Sequence, residues 1–317
     1  MTSRRERVQW RPVDGVLLLD KAAGVTSNAA LQAARRLYRA EKAGHTGTLD
    51  PLATGLLPVL FGEATKFGGE LLDADKTYAA EIALGTSTTT GDAEGEVVEC
   101  RPVTSTRADI ERVLAGLRGE GAQVPPMYSA LKRDGRPLYA YARAGESVER
   151  AARPVTIHEL TLDAAAGDRL AVTVRCSKGT YIRVLAEDIG RALGCGAHLT
   201  GLRRLAIGPF PVEDAATAEA LADLDETGRQ GRLLPLEVLV RHLPAVMLAE
   251  AVARRFAQGA PAECAGVAPG RVRVYGPGSA FLGVGAVDRD GRLQPGRLLR
   301  TADAVARAAT VAAPKTL

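Results

Sequence analysis

The sequence predicts a mixed α/β core followed by a small β domain, and three observations predict it. Apolar runs of strand length alternate with segments of helical apolar spacing through most of the chain. The C-terminal part instead holds short strand-like runs separated by Gly and Pro. With 317 residues, the chain exceeds one average domain, so two domains are expected.

The elements follow in order. Residues 15–20 form an apolar run bounded by Gly and charge, the pattern of a buried strand. Thr26 or Ser27 then caps a helix reaching about Arg39, with Leu31, Ala34, Leu37 and Tyr38 on one side and Arg35, Arg36 and Arg39 on the other. Residues 58–61 read as a strand, and in 77–84 Tyr78, Ala80, Ile82 and Leu84 share one face before Gly85 ends the run. Residues 170–176 are a further strand, turned by 177–180 into a helix on which Ile182, Leu185, Ala186 and Ile189 recur. The stretch 223–243, with Gly228, Gly231 and Pro235 among leucines, reads as a connector. A helix over 249–258 then precedes strands at 271–275, 280–287 and 292–299, with turns at Gly276-Pro277-Gly278 and Asp290-Gly291. The uncapped, Ala-rich tail 301–317 is expected to be loosely ordered.

Composition excludes several classes. At 46% hydrophobic and 25% charged residues the chain is an ordinary globular protein, with no apolar run near the roughly 20 residues that cross a bilayer. The basic N-terminus has no apolar stretch beside it and is not a secretory signal. The four cysteines lack a C-x-x-C pair and read as reduced cytoplasmic thiols. Cys195 and His198 invite a catalytic dyad, but spacing alone does not make one. There is no phosphate loop, Gly194-Cys195-Gly196 lacks the third glycine of a dinucleotide fingerprint, and the four histidines have no metal-ligand spacing. No cofactor and no metal are therefore expected.

Net charge is only +4, but its distribution is uneven. Residues 125–154 carry six basic side chains (Lys132, Arg133, Arg136, Arg143, Arg150, Arg153) against three acidic ones, with Tyr128, Tyr139 and Tyr141 among them. Basic groups interleaved with aromatics suit a surface that tracks phosphates and stacks bases, and equally an ordinary solvated face.

The most informative segment is Gly44-His45-Thr46-Gly47-Thr48-Leu49-Asp50-Pro51-Leu52-Ala53-Thr54-Gly55. Asp before Pro at the head of an apolar run predicts a helix start, with Asp50 as its cap and the helix dipole favouring the ionised carboxylate. On local evidence alone a cap is the commoner role, since caps far outnumber catalytic aspartates. The same segment resembles the catalytic signature of the bacterial tRNA pseudouridine-55 synthases of the TruB type. The resemblance continues through Gly15-Val16-Leu17-Leu18-Leu19-Asp20-Lys21, Asp75-Lys76-Thr77-Tyr78 and Pro126-Met127-Tyr128-Ser129-Ala130-Leu131-Lys132. It extends through Cys176-Ser177-Lys178-Gly179-Thr180-Tyr181-Ile182-Arg183 and ends at Leu202-Arg203-Arg204-Leu205. Ala22 departs from the proline usual after the lysine of the first motif, a change in local rigidity rather than chemistry.

That resemblance implies an α+β catalytic domain over 1–245, built on a mixed, largely antiparallel sheet with flanking helices. It also implies a PUA-like β-barrel domain over 246–317 that binds RNA, and a mobile RNA-gripping insertion over 125–153. It implies isomerisation of uridine to pseudouridine at position 55 of the tRNA T loop, by base flipping and without a cofactor. Asp50 would be the catalytic carboxylate, Arg183 its ion-pair partner, and Tyr78 the group against the uracil that exchanges the C5 proton. Tyr181 and Leu202 would line the uracil pocket, His45 fill or stack in the RNA loop, Lys21 support the catalytic loop and Lys132 contact RNA. The implied partner is the T arm and elbow of tRNA, met by a cytoplasmic monomer with no membrane. Two other readings stand beside it: an RNA chaperone of the tRNA elbow, which needs no Asp50, and an rRNA-directed synthase in a guide-RNA particle, which the basic insertion disfavours.

Overall fold

The computed structural model describes residues 9–300. The N-terminal residues up to 8 and the tail 301–317, with the expectations attached to them, lie outside the described residues. The principal elements are β1 (Gly15–Lys21), α1 (Ser27–Tyr38), β2 (Thr54–Phe61), β3 (Lys76–Leu84), α2 (Arg107–Gly116), β4 (Gly119–Gln123), β5 (Arg153–Ala166), β6 (Arg169–Cys176), α3 (Ile182–Ala192) and β7 (Ala197–Ile207). After them come β8 (Ala245–Met247), α4 (Glu250–Ala257), β9 (Gly270–Tyr275), β10 (Phe281–Val287) and β11 (Arg292–Leu298).

One large sheet runs from the short strand Ala216–Thr217 through β1, β2, β7, β3, β6 and β5 to β4. Two of its pairings, β1 with Ala216–Thr217 and β2 with β7, are parallel and the others are antiparallel. The mixed, largely antiparallel sheet is therefore present. Period-two alternation sets its faces: Tyr78, Ala80, Ile82 and Leu84 of β3 are buried, with Leu170, Val172 and Val174 of β6 in the same core and Ile182, Leu185, Ala186 and Ile189 of α3 packed over them. Helix α1 covers the β1–β2 end through Leu31, Ala34 and Tyr38. Thr26 caps it, its hydroxyl accepting from Ala29 N at 3.1 Å, a bond that stabilises by about 1 kcal/mol.

Two expectations need correction. No helix begins at Asp50. Residues 50–53 form a tight turn in which Ala53 N donates to Asp50 O at 3.1 Å, and β2 starts at Thr54, four residues before the strand read from the sequence. Asp followed by Pro serves the first two positions of a β-turn as well as a helix start, and register with β1 over the whole of 55–61 decides for the strand. Nor is 223–243 merely a connector. Leu233–Leu234 pairs with β1, and Val238, Leu239 and Val240 are buried in the core. Gly and Pro there break the periodicity without freeing the apolar side chains from burial.

The second sheet has the order β8, β9, β10, β11 and the short strand Ala262–Glu263, with α4 packing Phe256 into its core. It joins the first through an apolar seam where Phe281 meets Phe67 at a ring distance of 5.8 Å and Val284 lies in the cluster of Leu60 and Phe67. Among the described residues, no helix is long and apolar enough to cross a membrane.

Candidate active site

The turn carrying Asp50 is fastened on both sides by groups from other elements. Ser27, at the head of α1, donates through Oγ to Leu49 O at 2.9 Å and accepts from Leu49 N at 2.8 Å. Gly24 N donates to Pro51 O at 2.8 Å. Lys21, fully buried at the end of β1, donates through Nζ to the carbonyls of Ala22, Val25 and Pro51 at 2.9, 2.6 and 3.4 Å. Lys21 thus ties the loop to the end of β1. Ala22, at the position of the missing proline, serves here through its carbonyl.

Asp50 itself faces a cavity of about 300 Å³ between β3, β7 and α3, within the size range of ligand clefts. Arg183, in the first turn of α3, meets it with Nη2 3.0 Å from Oδ2. The arginine side chain is 6% exposed and that of the aspartate 40%, so the cation is sealed behind the carboxylate and the carboxylate presents itself to the cavity. Burial in the cleft pushes the Asp50 carboxyl above the ordinary carboxylate value, against the opposing pull of Arg183. The helix-dipole expectation is thereby reversed: the arginine, not a helix N-terminus, holds the anion.

Tyr78 projects from β3 into the same cavity, where Tyr181 and Leu202 also stand. Burial raises the Tyr78 phenol above its ordinary value, and Arg204 opposes that rise. The main chain of Tyr181 is fixed by buried Gln123, whose Oε1 accepts from Tyr181 N at 2.9 Å. A second hollow on the other side of Asp50 is lined by His45, Tyr139 and Arg143. His45 there has a buried, unpartnered Nδ1, and burial holds its ring below the usual histidine value. Lys132 lies outside both hollows, exposed on a hairpin in which Lys132–Arg133 pairs with Arg136–Pro137. The structure thus brings Asp50, Tyr78, Arg183, Tyr181 and Leu202 together, sets His45 and Lys21 beside them, and leaves Lys132 away.

Two charged residues escaped the sequence reading. Asp92 is buried, accepts from Thr90 Oγ1 at 2.5 Å and Glu94 N at 3.1 Å, and lies 3.6 Å from Arg183 Nε. Arg183 therefore sits between two carboxylates, which offsets its unfavourable place at a helix N-terminus. The available signal was only the Gly91-Asp92 turn. The second is Arg204, which in sequence is only one of two adjacent arginines in Leu202-Arg203-Arg204-Leu205. It is fully buried in β7. Arg183 also ties the site to the basic segment, donating through Nη2 to Tyr128 O at 2.7 Å. Among the described residues no group of three or more His, Cys, Asp and Glu side chains gathers as a metal-ligand set.

Three family models match the chain in succession. These are the TruB family pseudouridylate synthase N-terminal domain over residues 35–182, the tRNA pseudouridylate synthase B C-terminal domain over 183–241, and the pseudouridine synthase II TruB C-terminal domain over 244–299. The chain is 58% identical over 299 residues to a tRNA pseudouridine synthase B of Aromatoleum aromaticum, covering 94% of this chain and 97% of that one. It is 56% identical over 304 residues to the protein of the same name from Chromohalobacter salexigens, covering 95% and 98%. Among solved structures, it resembles an archaeal box H/ACA sRNP Nop10-Cbf5 complex with a TM-score of 0.67 at 25% identity, covering 90% of this chain and 86% of that one. A second likeness is to an H/ACA RNP bound to a substrate RNA containing 2′-deoxyuridine, with a TM-score of 0.65 at 27% identity, covering 86% and 78%.

Proposed function

The chain belongs to the TruB family of pseudouridylate synthases and is an isomerase that forms pseudouridine in tRNA, and we propose that it acts at position 55 of the T loop with Asp50 as its catalytic carboxylate. The observation that carries this reading is the Asp50 carboxylate itself, fastened by its backbone neighbours, backed by a sealed arginine and facing a cavity that holds Tyr78.

The reaction breaks the N1–C1′ bond of uridine, turns the uracil within the site and joins C5 to C1′. A carboxylate serves this in one of two ways, by attacking the nucleoside covalently or by taking a proton from C2′ to give a glycal. In either, Arg183 keeps Asp50 ionised and aimed through a charge-assisted bond. Tyr78 lies against the uracil and exchanges the proton at C5, while Tyr181 and Leu202 bound the base. The target uridine is stacked inside a folded loop, so it must be extruded at a cost of roughly a few kcal/mol. His45 and the hollow around it take up the space left in the RNA. Lys132 and the rest of 125–153 contact phosphates, which position the loop while the cavity selects the base.

The working unit of this proposal is a monomer whose catalytic domain is 1–245. The second sheet, as a PUA-like domain from 246 onward, adds contacts to the T arm and elbow. Mapping of pseudouridine on bulk tRNA incubated with the pure protein tests the proposal. A single new pseudouridine in T loops is expected. Modification elsewhere, with T loops untouched, would overturn it.

A further inference from the structure

Arg204 is a buried charge that the mechanism above does not use. Its side chain is among the largest fully buried in the protein, and among the described residues it pairs with no carboxylate. Nε donates to Leu56 O at 2.7 Å and Nη2 to Gly47 O at 2.9 Å. Those two carbonyls bracket Asp50 in the sequence, so one guanidinium ties both ends of the catalytic loop together. The same side chain lines the Asp50 cavity together with Tyr78, and its charge opposes the rise that burial gives the Tyr78 phenol. Strand register brings these groups together, since Arg204 stands opposite Gly55 on β2 and opposite Tyr78 on β3.

The loop is shaped around this residue. A Cβ at Gly47, where φ is +70°, would stand 3.2 Å from Arg204 Nη1. One at Gly55, where φ is +99°, would stand 2.3 Å from Arg204 O. A side chain at Gly55 would collide with the Arg204 backbone, one at Gly47 would press on its guanidinium, and both positions have left-handed φ. Burying a cation without a counter-charge is unfavourable, and a fold that needed only a staple would do as well with neutral donors.

We propose, on the function given above, that Arg204 is a positioning residue for the isomerisation: it fixes the Asp50 loop and, through Tyr78, sets its unpaired positive charge against the negative charge that arises on the uracil. When the N1–C1′ bond breaks, its electron pair passes to the uracil ring. The ring returns a pair when C5 bonds to C1′; the C5 proton then leaves and N1 gains one, so the sum is an isomerisation. A guanidinium beside the phenol favours negative charge on the Tyr78 oxygen and on the ring that meets it. Burial raises the phenol, and Arg204 opposes that rise.

The test uses the full-length protein and a T-arm RNA, with Arg204→Gln, Arg204→Lys and each combined with Tyr78→Phe. Single-turnover rate at saturating RNA, RNA affinity and melting temperature are read on every variant. Arg204→Gln should slow the reaction by about 300-fold, with affinity within about threefold. Arg204→Lys keeps the charge but cannot span both carbonyls, so it should lie about tenfold or more above the Gln variant and below wild type. In the Tyr78→Phe background, the Gln substitution should cost less than about a tenth of what it costs in the wild type. Equal rates for Lys and Gln, or effects that multiply in the double variant, would overturn the inference. If Arg204→Gln does not fold, Arg204→Lys decides alone: a slowed rate at native affinity supports the inference and a wild-type rate overturns it. Wild-type protein inactive on T loops would instead defeat the function on which the inference rests.

Discussion

The Asp50 loop and the basic segment 125–153 lie side by side, yet they are built by opposite means. The loop closes one tight turn on itself and is otherwise held from a distance in sequence, by Lys21 and Ser27 from the first elements of the chain and by Arg204 from β7. The basic segment is held chiefly by itself. Arg136 stacks on Tyr141 at 4.2 Å and bonds Ala140 O, Arg143 stacks on Tyr139 at 5.4 Å, and Asp134-Gly135 closes its hairpin with both residues at positive φ. Leu138 is its buried anchor. Long-range buried contacts give a fixed reacting geometry, whereas local exposed ones give a surface that can adapt to RNA. The joint between them is Arg183, which touches Asp50 and the carbonyl of Tyr128 together. Chemistry should therefore be lost by changes in one region and affinity by changes in the other.

The largest expected effect is that of Asp50→Asn. The backbone bond from Ala53 N survives in the variant, so the turn should remain, with melting little changed. The carboxylate does not, and the single-turnover rate should fall by roughly three powers of ten or more, about 4 kcal/mol of barrier. A chaperone activity on the tRNA elbow, if the protein has one, should persist in this variant and is read by tRNA refolding. Below the roughly 300-fold expected of Arg204→Gln comes Tyr78→Phe, with a loss of about 100-fold at saturating RNA and affinity kept, measured in the same assay. Substituting exposed Lys132 and Arg153 by Ala should act the other way. Affinity should drop about tenfold and the slope of log Kd against log salt should flatten by roughly 0.7 for each lost phosphate contact, while the rate on bound RNA stays near wild type. A rate loss in that variant would break the division between the two regions.

The pH dependence sharpens it further. Because burial raises the Asp50 carboxyl, activity at saturating RNA should fall on acidification through a pKa above the ordinary carboxylate value, and Arg183→Gln should move that limb higher still. The sign for stability is opposite to that of a paired surface acid. A raised carboxyl binds its proton more tightly folded than unfolded, so its ionisation lowers stability as pH rises from the unfolded value through the folded one. Any stability advantage of Asp50→Asn over wild type should accordingly shrink as pH falls, as melting curves across that range would reveal. The smallest expected effect is that of excess EDTA: none on turnover of a folded T-arm RNA. Loss of activity restored by a divalent ion would contradict it.

The two regions also differ in how far the sequence disclosed them. Period-two burial in β3 and β6 and the amphipathic spacing of α1 and α3 were readable directly, because each pattern repeats within one element. Tyr181 and Leu202 were placed by family resemblance, and the structure sets them in one cavity with Asp50. The turn at Asp50 was misread because Asp-Pro opens helices and turns alike, and only pairing with β1 decides. Asp92 and Arg204 were missed because their importance lies in burial beside residues about ninety and more than a hundred positions away, which no local pattern records. Lys132 is implied by the resemblance as an RNA contact, and it stands exposed on the hairpin of the basic segment, outside the cavity.

One measurement tests the account most directly: single-turnover pseudouridine formation, with RNA affinity read on the same samples, for Asp50→Asn beside the Lys132→Ala, Arg153→Ala double variant. The expected result is a crossed one, with Asp50→Asn binding T-arm RNA within about threefold of wild type but not converting it, and the double variant binding about tenfold more weakly yet converting bound RNA at near the wild-type rate. Near-normal conversion by Asp50→Asn, in a protein that melts and binds as the wild type does, would contradict the account.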